Sequence, residues 1–531
     1  MQLHISPRSL WVAALTLVLF TLEIDHLSGA VTMPAIFGDQ MILQRGLAAP
    51  IWGWANPDEE VTVRFATQEH AVIADHLGRW QVRLMPLKAD RAGRTLEISA
   101  TNKITYQDVL VGDVWICSGQ SNMEWQVQRS LNGKAEIATA KHPTMRIFNV
   151  PGHVTSPLPL REIAGHWQAV TPHTIGGFSA VGYFFGRELH LQTMVPIGLI
   201  GSNWGGTRIE PWTPPAGIRL AKELKGFDEF INRFDPETPT GKETWRQFIE
   251  DTQAWVTKAS HALETGDLLP PPVTPPLDNH AGVPTAIYNA MIHPLVPFGI
   301  RGAIWYQGEA NGNEGLEYFF KMKALLGGWR HVFGHGDFPL YFYFVQLANF
   351  QQPNDNPAGG DGWARVREAQ RQALTLPHTG MAVTTDIGEA KDIHPRNKQD
   401  VGLRLARWAL RDIFGSKEVV SGPLFRELTI ERDRVRVHFD HVGDGLMVGV
   451  KRGLTPTAED ITGSLQRFAI AGENRKWHWA EAKIERDTVV VSSDNVPNPV
   501  AVRYAYSMNP AGANLYNRAG LPAAPFRTDQ W

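Results

Sequence analysis

Short apolar segments separated by turn residues characterise both ends of the chain. In the first part they lie at residues 49–55, 61–66, 80–84 and 95–100. Regular strand spacing with little helical periodicity predicts a small N-terminal β-sandwich over residues 31–108. The same pattern of short apolar segments recurs at residues 428–431, 435–439, 446–450, 468–471, 488–492 and 500–506. We therefore predict a second all-β domain, a C-terminal β-sandwich, over residues 419–531.

The middle of the chain alternates apolar runs with helical stretches. The apolar runs lie at residues 113–117, 195–201, 302–306, 340–345 and 381–385, and the helical stretches at 180–192, 317–333 and 363–374. This alternation predicts an α/β domain over residues 109–418, in which a parallel sheet lies between two layers of helices. The alternation lapses at residues 214–284, where polar helices at 220–234 and 244–263 and clusters of proline predict an insertion near the rim of the functional site.

The first 30 residues have the pattern of a secretory signal peptide. Arg8 precedes an uncharged run over residues 10–22, and small residues at 28–30 provide a cleavage site. The apolar run is shorter than the roughly 20 residues that span a bilayer. Glu23 and Asp25 are unusual so close to a cleavage site, which leaves an uncleaved anchor as the alternative. We predict a periplasmic or secreted bacterial protein with no membrane partner after cleavage.

Composition narrows the class of partner. The 531 residues carry a net charge of −3, from 51 basic and 54 acidic residues without a long block of either sign. Such a chain offers no polybasic surface for nucleic acid. Its single cysteine, Cys117, excludes an intrachain disulfide and lies in an apolar run typical of a buried strand. The 18 tryptophans are compatible with stacking on sugar rings or with core packing, and the oligomeric state stays open.

Candidate chemistry follows the predicted strands, at the sheet edge where open α/β folds bind their ligands. Ser121 follows the first strand in a Gly-Gln-Ser-Asn-Met turn (119–123), where a helix N-terminus would favour a developing oxyanion. The alternative is a capping box, since Glu124 comes three residues later. The second turn contains Gly205 and Gly206, which let the backbone approach a reacting group or simply form a turn.

The third and fourth turns add polar groups. Gln307 follows the third strand, and its side-chain N–H could donate to the same oxyanion. Alternatively, Gln307 and Glu309 merely form hydrogen bonds with backbone groups. His394, with Asp392 two residues before it, has the pattern of a general base and its orienting acid. A loop hydrogen bond or a metal ligand would explain this pair equally well. Together, the four turns predict an acyl-transfer site.

These turns resemble the sequence blocks of the SGNH hydrolase superfamily, and the whole chain resembles the sialate O-acetylesterase family. The resemblance rests on Gly-Gln-Ser-Asn-Met (119–123), Trp-Gly-Gly-Thr (204–207), Trp-Tyr-Gln-Gly-Glu (305–309) and Asp-Ile-His-Pro (392–395). It extends to residues 41–53 and 514–528, and so covers nearly all of the predicted mature chain. The resemblance implies an SGNH-like three-layer fold and a serine esterase that removes acetyl groups from a carbohydrate without a cofactor.

The resemblance also implies roles for individual residues. Ser121 would be the nucleophile and His394 the base, with oxyanion donors from the N–H groups of Ser121 and of Gly205 or Gly206 and from the Gln307 side chain. The superfamily commonly shows Asp-x-x-His, whereas Asp392 is two residues before His394. The orienting group is therefore Asp392, Asp386 or a main-chain carbonyl. Gln307 stands where many members of the superfamily carry Asn.

Recognition of the sugar is the least determined part of the prediction. The substrate-binding candidates are Arg208, Glu309 and Asn311. A guanidinium could pair with the carboxylate of a sialic acid, although a structural ion pair between Arg208 and Glu210 would explain the residue equally well. Acetylated xylan and other acetylated glycans would use the same chemistry as an O-acetylated sialic acid.

Three other interpretations compete with a Ser121 esterase. Ser179 is a rival serine, but Val181 stands where a nucleophile elbow needs glycine, so we predict a helix N-cap. A glycosidase could use Glu309 and Asp392 as paired carboxylates, and a non-catalytic carbohydrate-binding protein could be built on β-sandwiches. Metal catalysis has little support, because His-Glu-x-x-His and cysteine-pair motifs are absent from the sequence.

Overall fold

The computed structural model describes residues 30–334 and 336–531. The predicted signal peptide therefore lies, apart from Ala30, outside the described residues. The N-terminal part contributes seven strands. They are β1 (Ile42–Gln44), β2 (Pro50–Trp54), β3 (Glu60–Phe65), β4 (Gln68–Ile73), β5 (Arg79–Arg83), β6 (Asp90–Ser99) and β7 (Lys103–Gly119). Strand β2 pairs with β5, and the others form a sheet in which β3 joins β4 to β6 and β7 joins β6 to β1.

The central part contains most of the helices. Its strands are β8 (His142–Asn149), β9 (Trp167–Val170), β10 (Ile197–Asn203), β11 (Gly302–Tyr306), β12 (Tyr341–Val345) and β13 (Thr379–Ala382). Its helices are α1 (Ser121–Glu124), α2 (Gly133–Thr139), α3 (Ala180–Thr193), α4 (Pro215–Leu220), α5 (Phe227–Phe234), α6 (Pro239–Thr265), α7 (Glu317–Phe333), α8 (Gly362–Gln372) and α9 (Lys398–Phe414). A short π-helical segment (Tyr288–Ile292) precedes β11.

The last part of the chain is all β. Its strands are β14 (Leu424–Glu431), β15 (Arg434–Asp440), β16 (Leu446–Val450), β17 (Ala458–Glu459), β18 (Phe468–Gly472), β19 (Trp477–Trp479), β20 (Glu481–Glu485), β21 (Thr488–Ser492), β22 (Pro499–Tyr504), β23 (Leu515–Asn517) and β24 (Phe526–Arg527). They form three small antiparallel sheets, β14-β15-β21-β20, β17-β16-β23 and β19-β18-β22-β24. These sheets enclose a core of their own, built around residues such as Val437, Phe468 and Phe526.

The central sheet has the order β13-β12-β11-β7-β10-β8-β9. All neighbouring pairs are parallel except β8 and β9, which are antiparallel. The prediction of a purely parallel sheet was therefore wrong at one edge: the sheet is mixed. Strand β9 has four residues and only its two end residues are buried, so its sequence lacks the continuous apolar run that marked the inner strands.

Strand β7 joins two parts of the molecule. Its first half pairs antiparallel with β6, and its second half pairs parallel with β10 and β11. The predicted boundary at residues 108 and 109 thus falls within one continuous strand. Side chains alternate across this strand, so that Val114 and Ile116 join the core shared with the N-terminal sheets while Trp115 and Cys117 face α3 and α9.

Helices cover both faces of the central sheet. Helices α3 and α9 pack on one face, through a core that contains Phe184 and Leu405. Helices α7 and α8 cover the other, where Trp305 and Trp329 lie in the larger core. Within the predicted helix over 220–234, only α5 and the last residue of α4 are helical. Helix α9 was missed.

Candidate active site

The turn after β7 presents Ser121 at the start of α1. Gly119 has φ +136°, and a Cβ at this position would lie 2.2 Å from the carbonyl oxygen of Tyr306. Only glycine fits here, because both the left-handed backbone and the space exclude a side chain. The Gln120 N–H donates to the same Tyr306 carbonyl at 3.0 Å. This bond ties the turn to β11 and fixes the direction in which α1 begins.

His394 reaches Ser121 from the loop between β13 and α9. Its Nε2 lies 2.8 Å from Ser121 Oγ, within hydrogen-bond distance. The imidazole also stacks on Trp125, with ring centroids 5.3 Å apart and an interplanar angle of 18°. Trp125 itself is buried. The ring of His394 is thus held by a flat apolar surface while its Nε2 faces the serine hydroxyl.

Asp392 is the carboxylate beside His394. Its Oδ1 lies 3.2 Å from His394 Nδ1 and accepts the His394 backbone N–H at 2.9 Å. A carboxylate that accepts a backbone N–H two residues later is the usual Asx turn, and this turn lets an Asp-x-His spacing contact the ring. Asp386, the alternative acid, is instead buried and paired with Arg404 through both carboxylate oxygens, at 2.6 and 2.7 Å.

Glu124 does not form the capping box that its spacing allowed. The residue that caps α1 is Gln120, without a side-chain bond. Glu124 Oε2 instead accepts the backbone N–H of Gly205 at 2.6 Å, and Oε1 lies 2.9 Å from His153 Nε2. The capping-box interpretation was therefore wrong, because the carboxylate turns toward the loop after β10.

The glycine pair passes close to Ser121. A Cβ on Gly205 would lie 3.2 Å from the Cβ of Ser121 and 3.0 Å from Glu124 Oε2. Gly206 has φ +77° and open space around it. The Gly205 N–H is already engaged by Glu124, so a substrate oxygen would have to compete with that carboxylate for it. The Ser121 N–H has no hydrogen-bond partner within residues 30–334 and 336–531.

Gln307 does not present a free donor. It is fully buried, and its Nε2 is shared by Gln120 Oε1 at 3.1 Å, the Thr207 carbonyl at 3.2 Å and Asn311 Oδ1 at 2.7 Å. The expected oxyanion bond from its side chain is therefore not formed. Gln307 instead holds the turn after β11 against the Ser121 turn and the glycine loop.

Two expected substrate-binding residues are also engaged internally. Asn311 is buried, and its Nδ2 donates to Glu210 at 3.1 Å and to Glu314 at 2.9 Å. Arg208 pairs with Glu210 at 3.0 Å and with Glu314, and Lys321 pairs with both carboxylates. Arg208 thus forms the ion pair given as the alternative, with its side chain 46% exposed, and Asn311 is buried.

Glu309 belongs to a buried cluster behind the triad. Asn122 Nδ2 donates to Glu309 Oε1 at 2.6 Å and to the Ile393 carbonyl at 3.0 Å, next to His394. Lys398, fully buried at the start of α9, donates to Asn122 Oδ1. Glu309 Oε2 is buried without a hydrogen-bond partner in the described chain. Glu309 is therefore linked through Asn122 to the loop that carries His394.

Burial controls the protonation of these groups. It lowers the pKa of Lys398 to about 7 and raises the pKa of Glu309 above its ordinary value. Burial likewise lowers the pKa of His394, although the Asp392 carboxylate acts in the opposite direction. Lys398 and Arg129 contribute further in the lowering direction, because a nearby cation disfavours an imidazolium. The neutral imidazole that accepts a proton therefore persists below the ordinary pKa of histidine.

We expect the acidic limb of the pH–rate profile to lie below the ordinary histidine value of about 6.5. Activity should fall only as the pH drops through the lowered pKa of His394. Lys398→Met should move this limb to higher pH, because Lys398 is protonated in that range and its charge opposes protonation of His394. Steady-state rates of wild type and variant over pH 4–9 would measure the shift, with exposed Lys141→Met as the control. An acidic limb at the same pH in Lys398→Met and wild type would show that the charge of Lys398 does not influence the pKa of His394.

Several residues outside this site have structural roles. Ser179 caps α3, since its hydroxyl accepts the Gly182 N–H at 3.1 Å, as predicted. Cys117 is fully buried, also as predicted, and burial raises the pKa of its thiol. In the described ranges, no helix is long and apolar enough to cross a membrane. The same ranges contain no cluster of three or more His, Cys, Asp or Glu side chains that could hold a metal.

The chain is similar to known carbohydrate acetylesterases. Residues 111–249 match the family model described as carbohydrate esterase, sialic acid-specific acetylesterase. The sialate O-acetylesterase of Rattus norvegicus is 31% identical over 478 residues, which cover 80% of this chain and 81% of the rat protein. The chain belongs to the sialate O-acetylesterase family. The human family member is 29% identical and aligns with 73% of this chain and 72% of its own length.

A solved structure extends the likeness to the whole fold. The crystal structure of a carbohydrate acetylesterase from Xanthomonas citri superposes with a TM-score of 0.76 at 37% identity. It covers 94% of this chain, and its own chain is covered completely. Family membership and this neighbour establish a carboxylic ester hydrolase, as the resemblance implied. Sequence reasoning missed several residues that contact the site. They are Asn122, Trp125, Lys398, Glu124 and His153. Asn122 lies within the serine motif, and Trp125 follows the motif by two residues.

Proposed function

We propose that this esterase removes O-acetyl groups from a sugar through Ser121, His394 and Asp392. The observation that carries the proposal is the chain of contacts from Asp392 Oδ1 to His394 Nδ1 at 3.2 Å and from His394 Nε2 to Ser121 Oγ at 2.8 Å. A nucleophile, its base and an orienting acid within hydrogen-bond distance form the arrangement that acyl transfer needs. It lies where β7 and β11 end, at the expected edge of the sheet.

In the proposed reaction, Ser121 Oγ attacks the acetyl carbonyl carbon while His394 Nε2 takes the hydroxyl proton. The same proton then passes to the sugar oxygen as the ester bond breaks, which leaves an acetyl-serine. Water, deprotonated by His394, attacks this ester and releases acetate. The Ser121 N–H and the main chain at Gly205 and Gly206 would stabilise the oxyanion. Glu124 would have to release the Gly205 N–H before this donor could contact the oxyanion.

A glycosidase built on Glu309 and Asp392 is less well supported. Such enzymes need two carboxyl groups that both face the scissile bond. One oxygen of Glu309 is held by Asn122, and the other is buried. A purely carbohydrate-binding protein would have no need for a serine hydroxyl aimed at an imidazole.

The sugar that carries the acetyl group is a narrower proposal. The similarity to sialate O-acetylesterases supports an O-acetylated sialic acid, and acetylated xylan is the second candidate. Since Arg208 is neutralised by Glu210 and Glu314, it does not discriminate between an acidic and a neutral sugar. We retain the proposal that residues 1–30 direct export to the periplasm or medium, and that β-sandwich domains flank the esterase domain.

Acetate release from a panel of three acetyl esters tests this function. We expect the protein to release acetate from 4-nitrophenyl acetate, O-acetylated sialic acid and acetylated xylan without producing new reducing ends. Comparison of kcat/KM between the two glycans would identify the preferred sugar. New reducing ends without acetate would instead establish a glycosidase, and binding without either product would establish a lectin-like protein.

A further inference from the structure

A cavity lies beside the helical insertion, and the Ser121 site is not part of it. Its volume is about 440 Å³, within the range of roughly 300–1,000 Å³ that is usual for small-ligand sites. Helices α4 and α5 form one wall, and the π-helical segment Tyr288–Ile292 forms another. None of its lining residues belongs to the triad or to the glycine loop.

The cavity wall offers hydrogen-bond acceptors that the protein does not use. Asn289, in the π-helical segment, donates to the Ser156 carbonyl at 3.1 Å, but its Oδ1 is buried without a partner among the described residues. A buried acceptor without a partner is unfavourable, and π-helical turns are frequent at functional sites. His293 Nδ1 lies 2.8 Å from the Leu160 carbonyl and must donate to it, so Nε2 remains as an acceptor.

The remaining surface is apolar and aromatic, and the charge around it is not positive. Phe230, Phe234 and Tyr288 line the cavity. The charged residues that line it are one cation, Arg219, and two carboxylates; Arg219 is already paired with the buried carboxylate Asp235. Such a surface would repel an anionic ligand. Aromatic faces beside unused acceptors suit a ligand with apolar C–H faces and several hydroxyl donors.

A short stretch of chain links the cavity to residues that contact the Ser121 turn. His153 contacts Glu124, and Glu124 in turn holds the Gly205 N–H. Pro157, four residues later, lines the cavity. Since an extended chain spans at most about 3.6 Å per residue, the Cα atoms of His153 and Pro157 lie within roughly 14 Å of each other. A glycan held at Ser121 would have to pass His153 and extend beyond it to enter the cavity.

We propose that this cavity binds a neutral sugar unit of the glycan whose acetyl ester is hydrolysed at Ser121. The inference rests on the proposed function, because it assigns the cavity to another part of the same substrate. Hydroxyl groups of the sugar donate to Asn289 Oδ1 and His293 Nε2, and its C–H face packs on the aromatic wall. The cavity would thereby favour acetyl groups on longer glycans over those on a free monosaccharide.

The test fills the cavity without touching the triad. Ala216, on α4, lines the cavity, whereas Leu220 on the same helix is 53% exposed and does not. Calorimetric titration of the intact protein with xylotetraose should show binding to wild type and to Leu220→Trp, and binding at least tenfold weaker to Ala216→Trp. Hydrolysis of 4-nitrophenyl acetate should be unchanged in all three proteins.

A second variant covers the case in which Ala216→Trp is unstable. His293→Phe keeps an aromatic ring but removes the Nε2 acceptor, together with the bond from Nδ1 to the Leu160 carbonyl. This variant should also weaken xylotetraose binding without affecting hydrolysis of the aryl acetate. Equal binding to wild type and both cavity variants, no binding of xylotetraose to wild type, or a preference for free N-acetylneuraminic acid at this site would overturn the proposal. Loss of aryl acetate hydrolysis in wild type would instead refute the esterase site, so the two failures are distinguishable.

Discussion

Ser121→Ala should reduce kcat/KM for 4-nitrophenyl acetate by at least about a thousandfold, because removal of the nucleophile from a triad leaves only the catalysis due to binding and the oxyanion site. The fold should be retained, since within the described residues the Ser121 hydroxyl bonds only to His394 and does not cap α1. The melting temperature and the far-ultraviolet circular dichroism of the variant should match those of wild type. Steady-state hydrolysis measures the loss.

Ser179→Ala is the matched control for this experiment. Ser179 caps α3 through the Gly182 N–H, so its loss should cost about 1 kcal/mol of stability and leave the rate of the folded enzyme unchanged. Ser121→Ala should therefore lose activity and keep its stability, whereas Ser179→Ala should lose stability and keep its activity. Near wild-type turnover in Ser121→Ala, or a large loss of turnover in Ser179→Ala, would show that the nucleophile has been misassigned.

Asp392→Asn should lower kcat for the aryl acetate by roughly 10²–10⁴-fold with little change in stability. The amide loses the negative charge that stabilises an imidazolium and can present the wrong hydrogen-bonding group to Nδ1. Asp392 is 47% exposed on its side chain, so its removal leaves no buried cation unpaired.

Asp386→Asn should show the reverse pattern. Asp386 and Arg404 form a buried bidentate pair, and loss of one partner in such a pair typically costs about 3 kcal/mol or more. We therefore expect a lower unfolding midpoint in urea but a near-normal kcat for the protein that remains folded. If Asp386→Asn reduced kcat as strongly as Asp392→Asn at equal stability, Asp386 would have to be counted as part of the catalytic machinery.

The candidate site illustrates which features local patterns can predict. Strand–turn–helix alternation placed Ser121, Gly205, Gln307 and His394 in turns at one edge of a sheet, because parallel strands all end at the same edge. The inner strand β11 and helix α7 were predicted with their observed bounds, since both have long, unambiguous apolar patterns. The edge strand β9 was missed because it is short and only partly buried.

The roles of the polar side chains depended on contacts between residues far apart in the chain. A sequence motif identifies a residue type at a turn, but not which neighbour uses its hydrogen-bonding groups. Gln307 looked like an available donor, yet it is occupied by Gln120, Thr207 and Asn311. Arg208 is likewise neutralised by Glu314, which is 106 positions later in the sequence.

The positions of five strands along the chain, the turn glycines and the Ser and His motifs were determined by the sequence alone, because they follow from local backbone geometry and from periodic burial. Which of Asp392 and Asp386 lies beside the imidazole was decided only by the tertiary structure. Both acids lie in the same loop, but α9 brings Arg404 against Asp386 and leaves Asp392 beside the imidazole. The buried cluster of Asn122, Glu309 and Lys398 has the same origin. Its members come from three separate segments and meet only when the sheet and α9 pack together, since a buried charge is tolerated only where distant partners converge on it.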